Sequence, residues 1–97
     1  MIAYRFHPAA QVELEEAAAF YESRLAGLGK FFAAEIERTI SIVRQFPESG
    51  SALAGGQRRA IVARFPYSIV YREQGDAIVI VAVAHQRRRP GYWRGRR

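Results

Sequence analysis

The chain divides into segments of distinct hydrophobic period. In residues 2–6, IAYRF, the large apolar Ile2, Tyr4 and Phe6 alternate with Ala3 and Arg5, the period of a half-buried strand. Pro8 follows at a position suited to the first turn of a helix, where no amide proton is needed. From Ala9 to Leu25, the residues Ala10, Leu14, Ala17 or Ala18, Tyr21 and Leu25 recur at helical spacing. Glu13, Glu15 and Glu16 read as a solvated face near the helix start, where the dipole favours negative charge. Gly27-Leu28-Gly29 breaks this helix. A second is expected from about Lys30 to Phe46, with Phe32, Ile36, Ile40 and Val43 on one face and Pro47 as its stop. So short a link implies an antiparallel helix hairpin.

Residues 47–57, PESGSALAGGQ, read as a loop. Three strands are then expected, Arg58–Arg64, Tyr67–Arg72 and Ala77–His85, the last two joined by a turn in which Gly75 supplies positive φ. Ala77–Ala84 is apolar throughout and belongs in the middle of the sheet. The order β-α-α-β-β-β describes an α+β fold, an antiparallel helix hairpin packed on a small, mainly antiparallel sheet. A two-residue turn at Gly75-Asp76 would pair Arg72 with Val79 and Ser68 with Val83. His85 would then share a face with Ser68 and Arg72, while Tyr67, Ile69 and Tyr71 point the other way.

Length and composition narrow the class. Ninety-seven residues suit a single domain spanning 1–97 with a basic tail at 86–97, and 49% hydrophobic with 25% charged residues is the balance of a folded globule. There is no cysteine, which excludes disulfides and thiolate metal sites and fits a reducing compartment. The start, MIAYRFHPAA, has no signal-like apolar segment, and no run approaches the ~18 apolar residues of a membrane span; a cytoplasmic protein away from membranes is expected. The net charge of +6 is unevenly placed. Residues 1–50 hold five basic and seven acidic groups, a net of −2; residues 51–97 hold ten and two, a net of +8. That asymmetry points to a polyanionic partner, either nucleic acid or an acidic protein.

The chain lacks a glycine-rich phosphate loop with its lysine, and it lacks a GxSxG elbow. Two histidines and one aspartate show no metal-ligand spacing, so neither metal nor cofactor is expected. His7 reads as a junction residue between strand and helix. His85, where the central strand meets HQRRRPGYWRGRR, has two readings: a strand-end histidine bonded to backbone, or a general acid or base beside phosphates. Arg58, Arg59, Arg64, Arg72, Arg87, Arg88 and Arg89 all fall on or near the sheet. Metal-free RNA cleavage needs a base, an acid and a cation for the phosphorane, and arginine with histidine supplies parts of that set. Tyr92 and Trp93 would either stack on bases or fold back onto the domain; the Pro90-Gly91 turn favours folding back for Trp93.

The segments HPAAQVELEEAAAFYE, VRQFPESG and RRAIVARFPYSIVYREQGDAIVIVAVAHQRRRPGYWRGR, together with the opening strand, resemble the RelE/ParE toxin superfamily of type II toxin–antitoxin systems over nearly the whole chain. FPYSIVY followed by IVIVAVAHQRRRPGYW is the most specific part. The resemblance implies a growth-inhibiting toxin of a plasmid-stabilisation system, neutralised by a cognate antitoxin of the ParD or RelB kind that wraps the helices and sheet. The toxin–antitoxin complex would bind operator DNA. RelE-like members cleave mRNA on the ribosome, and the matching catalytic candidates are Arg64, Arg72, His85 and Tyr92. ParE-like members poison DNA gyrase and are not nucleases. The long hairpin and the FPYSIVY…AVAH pattern resemble ParE-like members, and the lysine pairs of RelE-like sheets are missing, Lys30 being the one lysine. Whether the chain is an enzyme follows from that choice. On either reading, Arg58, Arg59, Arg87, Arg88, Arg89 and Trp93 are expected to contact a partner or nucleic acid. A third reading is a non-toxic nucleic-acid-binding module, distinguished by binding that falls steeply with salt.

Overall fold

The computed structural model describes residues 2–97. Strand β1 (Ala3–Phe6) leads into helices α1 (Pro8–Arg24) and α2 (Leu28–Gln45); strands β2 (Ser51–Ala52), β3 (Gln57–Ile61), β4 (Tyr67–Gln74) and β5 (Ala77–His85) follow. They form one sheet in the order β1-β5-β4-β3-β2. Neighbours are antiparallel except β1, which runs parallel to β5. The expected α+β arrangement is present, with one more strand: Ser51 and Ala52 pair with Arg59 and Arg58 inside the segment read as a loop. Two residues are too few for any alternation to signal.

Local chemistry sets the helix ends. His7 caps α1 by accepting the Ala9 amide on Nδ1 at 3.0 Å, with Pro8 in the first turn. No acidic residue lies in that turn, so the dipole reading of Glu13, Glu15 and Glu16 fails. Glu15 and Glu16 face solvent, but Glu13 does not. Leu25, placed at the end of the apolar stripe, stands exposed just past the helix. In the link, the Glu22 carboxylate accepts the amides of Gly27 at 2.9 Å and Gly29 at 3.0 Å, which holds its pKa below the usual value. A Cβ at Gly29 would lie 2.5 Å from the Ala18 carbonyl oxygen, so the two helices approach through this glycine.

On α2, the expected stripe of Phe32, Ile36, Ile40 and Val43 is fully buried. It packs on Ile69, Tyr71, Ile78, Ile80 and Val83 of the sheet. Tyr21, Phe65 and Tyr67 close one end of this core with ring contacts to Phe32. The other face of the sheet is apolar as well: Val70, Val79, Val81, Ala82 and Ala84 are buried with Trp93. Burial on both faces explains why β5 reads as continuous rather than alternating.

The register departs from expectation at one point. The Gly75-Asp76 turn pairs Arg72 with Val79 as anticipated, but a bulge between Val70 and Tyr71 sets Val70 against Ala82 and Tyr71 against Ile80. Val81 is the extra residue, so Val81 and Ala82 both fall on the Trp93 face. Ser68 therefore opposes Ala84 instead of Val83, and His85 opposes Tyr67. His85 shares the helix-side face with Tyr67, not the face of Ser68 and Arg72. Strand β3 also stops at Ile61, short of Arg64, because the chain turns back with a Val62 N–H to Tyr67 C=O bond of 3.0 Å. Among the described residues, no helix is long and apolar enough to cross a membrane.

Candidate functional site

The candidate residues gather around the end of β5 and the segment 86–97. That segment turns back on the sheet. Arg88 N–H bonds the His85 carbonyl, Arg94 N–H that of Gly91, and Arg96 N–H that of Trp93. Gly91 takes φ 82°, as a turn after Pro90 requires. Trp93 folds onto the second apolar face, and its Nε1 donates to Gln57 Oε1 at 3.1 Å. Its ring is buried and offers no face to a base.

Beyond Trp93 the segment is fastened to α1. Arg96 donates from Nη2 to Glu13 Oε2 at 2.8 Å and from Nη1 to Glu13 Oε1 at 2.9 Å. The same two side chains serve the edge of β5. Strand β1 pairs with β5 only as far as Ile80, and past that point Val83 N–H donates to Glu13 Oε1 at 3.0 Å while Arg96 Nη1 donates to the Val81 carbonyl at 3.0 Å. An ion pair thus stands where a neighbouring strand would be. Burial by itself raises the Glu13 pKa, but the Arg96 and Val83 hydrogen bonds outweigh it and hold the carboxyl below its ordinary value. Arg88 adds a second cation at 3.6 Å.

Tyr92 lies within this cluster. The Arg88 guanidinium rests 4.0 Å from its ring centroid and that of Arg96 5.1 Å. Its hydroxyl is buried and, among the described residues, has no hydrogen-bond partner. Burial first, and the nearby Glu13 carboxylate second, push its pKa well above the usual range. Glu13 is close enough to bias that titration, yet its oxygens are committed to Arg96 and Val83 and not to the phenol.

The other candidates are dispersed. Arg64 sits in the β3–β4 turn with φ 70° and reaches the buried Glu35 of α2 at 3.2 Å. Arg72 bonds Gln74 Oε1 at 3.1 and 3.3 Å and the Arg96 carbonyl at 3.4 Å. His85 packs edge-on against Tyr67, ring centroids 5.1 Å apart, and its Nδ1 accepts the Arg87 amide at 3.0 Å. Arg58 is held by the Gly50 carbonyl at 2.9 Å and the Glu48 carbonyl at 3.3 Å. Arg72 and Tyr92 both lie against Arg96, whereas Arg64 is held by Glu35 and His85 by Tyr67 and the Arg87 amide. Arg59, Arg87, Arg88 and Arg89 are exposed. Among the described residues no cluster of acidic or histidine side chains has metal-binding form.

Glu13, Arg96 and Gln57 are residues that sequence reasoning did not single out. The signal for Glu13 was present: it lies three residues after Ala10 and four before Ala17, on the stripe that faces the sheet. A carboxylate on a buried stripe demands a cationic partner. Nothing local marks Arg96 among its neighbouring arginines as that partner.

The family model described as the ParE toxin of type II toxin-antitoxin system, parDE, matches residues 4–90. Among curated protein sequences none matches the chain. Among solved structures, a chain of the chromosomal ParDE TA system from P. aeruginosa superposes with a TM-score of 0.70 at 22% sequence identity, covering 88% of this chain and 96% of that one. That structure carries the same fold, two helices on a five-stranded, mostly antiparallel sheet. With the family pattern extending from β1 into the tail, the chain belongs to the ParE toxin family of type II toxin–antitoxin systems.

Proposed function

We infer that this chain is a ParE-like toxin that poisons DNA gyrase in the cytoplasm and is neutralised by a ParD-like antitoxin. One observation supports the choice of target: the residues that a ribonuclease would need are each tied to a neighbour within the domain, Arg64 to Glu35, Arg72 to Gln74, His85 to Tyr67 and Tyr92 to Arg88. Inhibition by binding asks nothing of them as a reacting set. The exposed apolar side chains of the hairpin supply a surface for the antitoxin. Phe20, Leu25 and Phe31 stand near its tip, and Ile42 and Phe46 lie toward the end of α2. An amphipathic antitoxin segment with acidic flanks would cover them and meet the basic half of the chain.

The test is a supercoiling assay with purified gyrase and relaxed plasmid. Added toxin is expected to suppress supercoiling and to accumulate cleaved DNA, and prior mixing with the antitoxin from the neighbouring gene is expected to restore activity. Undisturbed supercoiling in the presence of folded toxin, together with cleavage of mRNA on ribosomes, would move the chain to the RelE-like branch.

A further inference from the structure

Strand β5 has a side that is only partly paired. Strand β1 runs beside it through Ile80, and among the described residues no strand follows on that side beyond this point. The stretch left over, Val81, Ala82, Val83 and Ala84, is apolar and buried, a composition prone to pair with a further strand. The groups along its edge can be assigned. Val83 N–H donates to Glu13 and the Val81 carbonyl accepts from Arg96, both away from β4. Gln86 N–H bonds the Pro66 carbonyl on the β4 side, so by alternation His85 N–H points to the open side together with the Val83 carbonyl. These groups are self-complementary. If two copies meet edge to edge, antiparallel about a two-fold axis at Val83, Val83 exchanges both hydrogen bonds with the partner's Val83. His85 N–H then meets the carbonyl of the partner's Val81, and the reverse bond forms by symmetry.

We propose that the β5 edge from Val81 to His85 is a latent surface for a second copy of this chain, and that Glu13 and Arg96 keep it closed. The two side chains hold the edge groups with which that pairing would begin, Val83 N–H and the Val81 carbonyl. They are bonded to each other at 2.8 Å, and their side chains are 10% and 17% exposed. An arriving strand must therefore separate a largely buried ion pair before it gains its first bond, and apolar side chains in the same places would set no such barrier. The tail thus has a second task beside its cover of the outer sheet face: it carries Arg96 to the edge. When residues 94–97 lift away, the edge pairs with its own copy. Neither gyrase nor antitoxin enters this inference or its test, so it and the functional reading can fail separately.

The experiment is cysteine cross-linking, since the chain has no cysteine of its own. The double variant Glu13→Ala with Arg96→Ala removes both charges together and leaves neither buried alone. Into it goes either Val83→Cys, at the two-fold centre, or Ala19→Cys, on the exposed side of α1. Opposed residues in such a strand pair have Cα atoms about 5.5 Å apart, within disulfide reach. Cross-linking under mild oxidation is followed against protein concentration, in salt that screens the net charge of +6 on each copy. V83C in the double variant is expected to form a disulfide dimer about tenfold faster than V83C with Glu13 and Arg96 intact, at a rate that rises with concentration, while A19C stays monomeric. Arg96→Ala alone, which frees the Val81 carbonyl and leaves α1 unchanged, should cross-link through V83C at an intermediate rate, and it decides the matter if the double variant fails to fold. A folded variant that remains monomeric at every concentration overturns the proposal. Equal cross-linking at positions 83 and 19 does so too, because it reports general adhesion. So does equal cross-linking of V83C with and without the ion pair, because the edge would then have no guard.

Discussion

Glu13 joins three parts of the molecule that are far apart in sequence: the α1 helix it belongs to, the β5 edge through Val83, and the tail through Arg96. Replacing it with Gln keeps the shape but removes the charge opposite a largely buried guanidinium. Glu13→Gln should cost about 1–3 kcal/mol, read as a lower urea midpoint. The same carboxyl gives a pH dependence with a fixed sign. Its folded pKa lies below the ordinary 4.5, so its contribution is complete above that value and disappears as pH falls through the lower folded value. The gap in stability between the unmodified protein and E13Q should accordingly narrow below pH 4.5 and stay constant above it. Gly50 is a second residue with a defined limit. Its amide donates to the Tyr71 hydroxyl at 3.0 Å, which itself donates to the Pro47 carbonyl at 2.8 Å. A Cβ at Gly50 would sit 2.6 Å from that hydroxyl and 2.9 Å from the Arg59 carbonyl oxygen. Gly50→Ala is expected to lower stability by about 1–3 kcal/mol in thermal unfolding, since neither the paired strand nor the buried phenol has room to yield.

At the scale of elements, the tail acts as the third layer of the fold. Helices cover one face of the sheet, and without the tail Val70, Val79, Val81, Ala82 and Ala84 would meet water. Trp93→Ala removes the ring that covers them and the bond to Gln57. A loss of about 3 kcal/mol in urea unfolding is expected, with faster amide exchange along β4 and β5 than the same loss at a remote site would give. Much of this level was legible beforehand. The α2 stripe, the β5 run and the Gly75-Asp76 turn each carry a local signal strong enough to set type and place. The bulge at Val81 carries none, because in an all-apolar strand every register looks alike. Hence Arg72 was placed correctly against Val79 and His85 on the wrong face. Arg64 went astray for a related reason: ARF continues a strand pattern, and only the cross-turn bond from Val62 to Tyr67 ends it.

For the whole molecule, the charge asymmetry read from sequence becomes geometry. The basic half builds β3, the end of β5 and the tail, where Arg59, Arg87, Arg88 and Arg89 are exposed, while Arg58, Arg64, Arg72 and Arg96 are engaged with carbonyls and carboxylates of the domain. A count of arginines could not separate these two groups; only tertiary contacts do. The candidate site was thus legible as a region and not as a residue set. The closure at Glu13 and Arg96 has a temporal meaning too. These partners are 83 residues apart, and β1 likewise waits for β5 to complete its pairing. Such distant contacts make folding slow relative to local helix formation. During synthesis the helix hairpin can form early, but the sheet lacks β5 until residue 85 and its fastened outer cover until residue 96 has been made. A growing chain therefore carries hairpin surface before it carries a finished basic surface, and a binding partner that recognises the hairpin could meet the toxin before the rest of its surface exists.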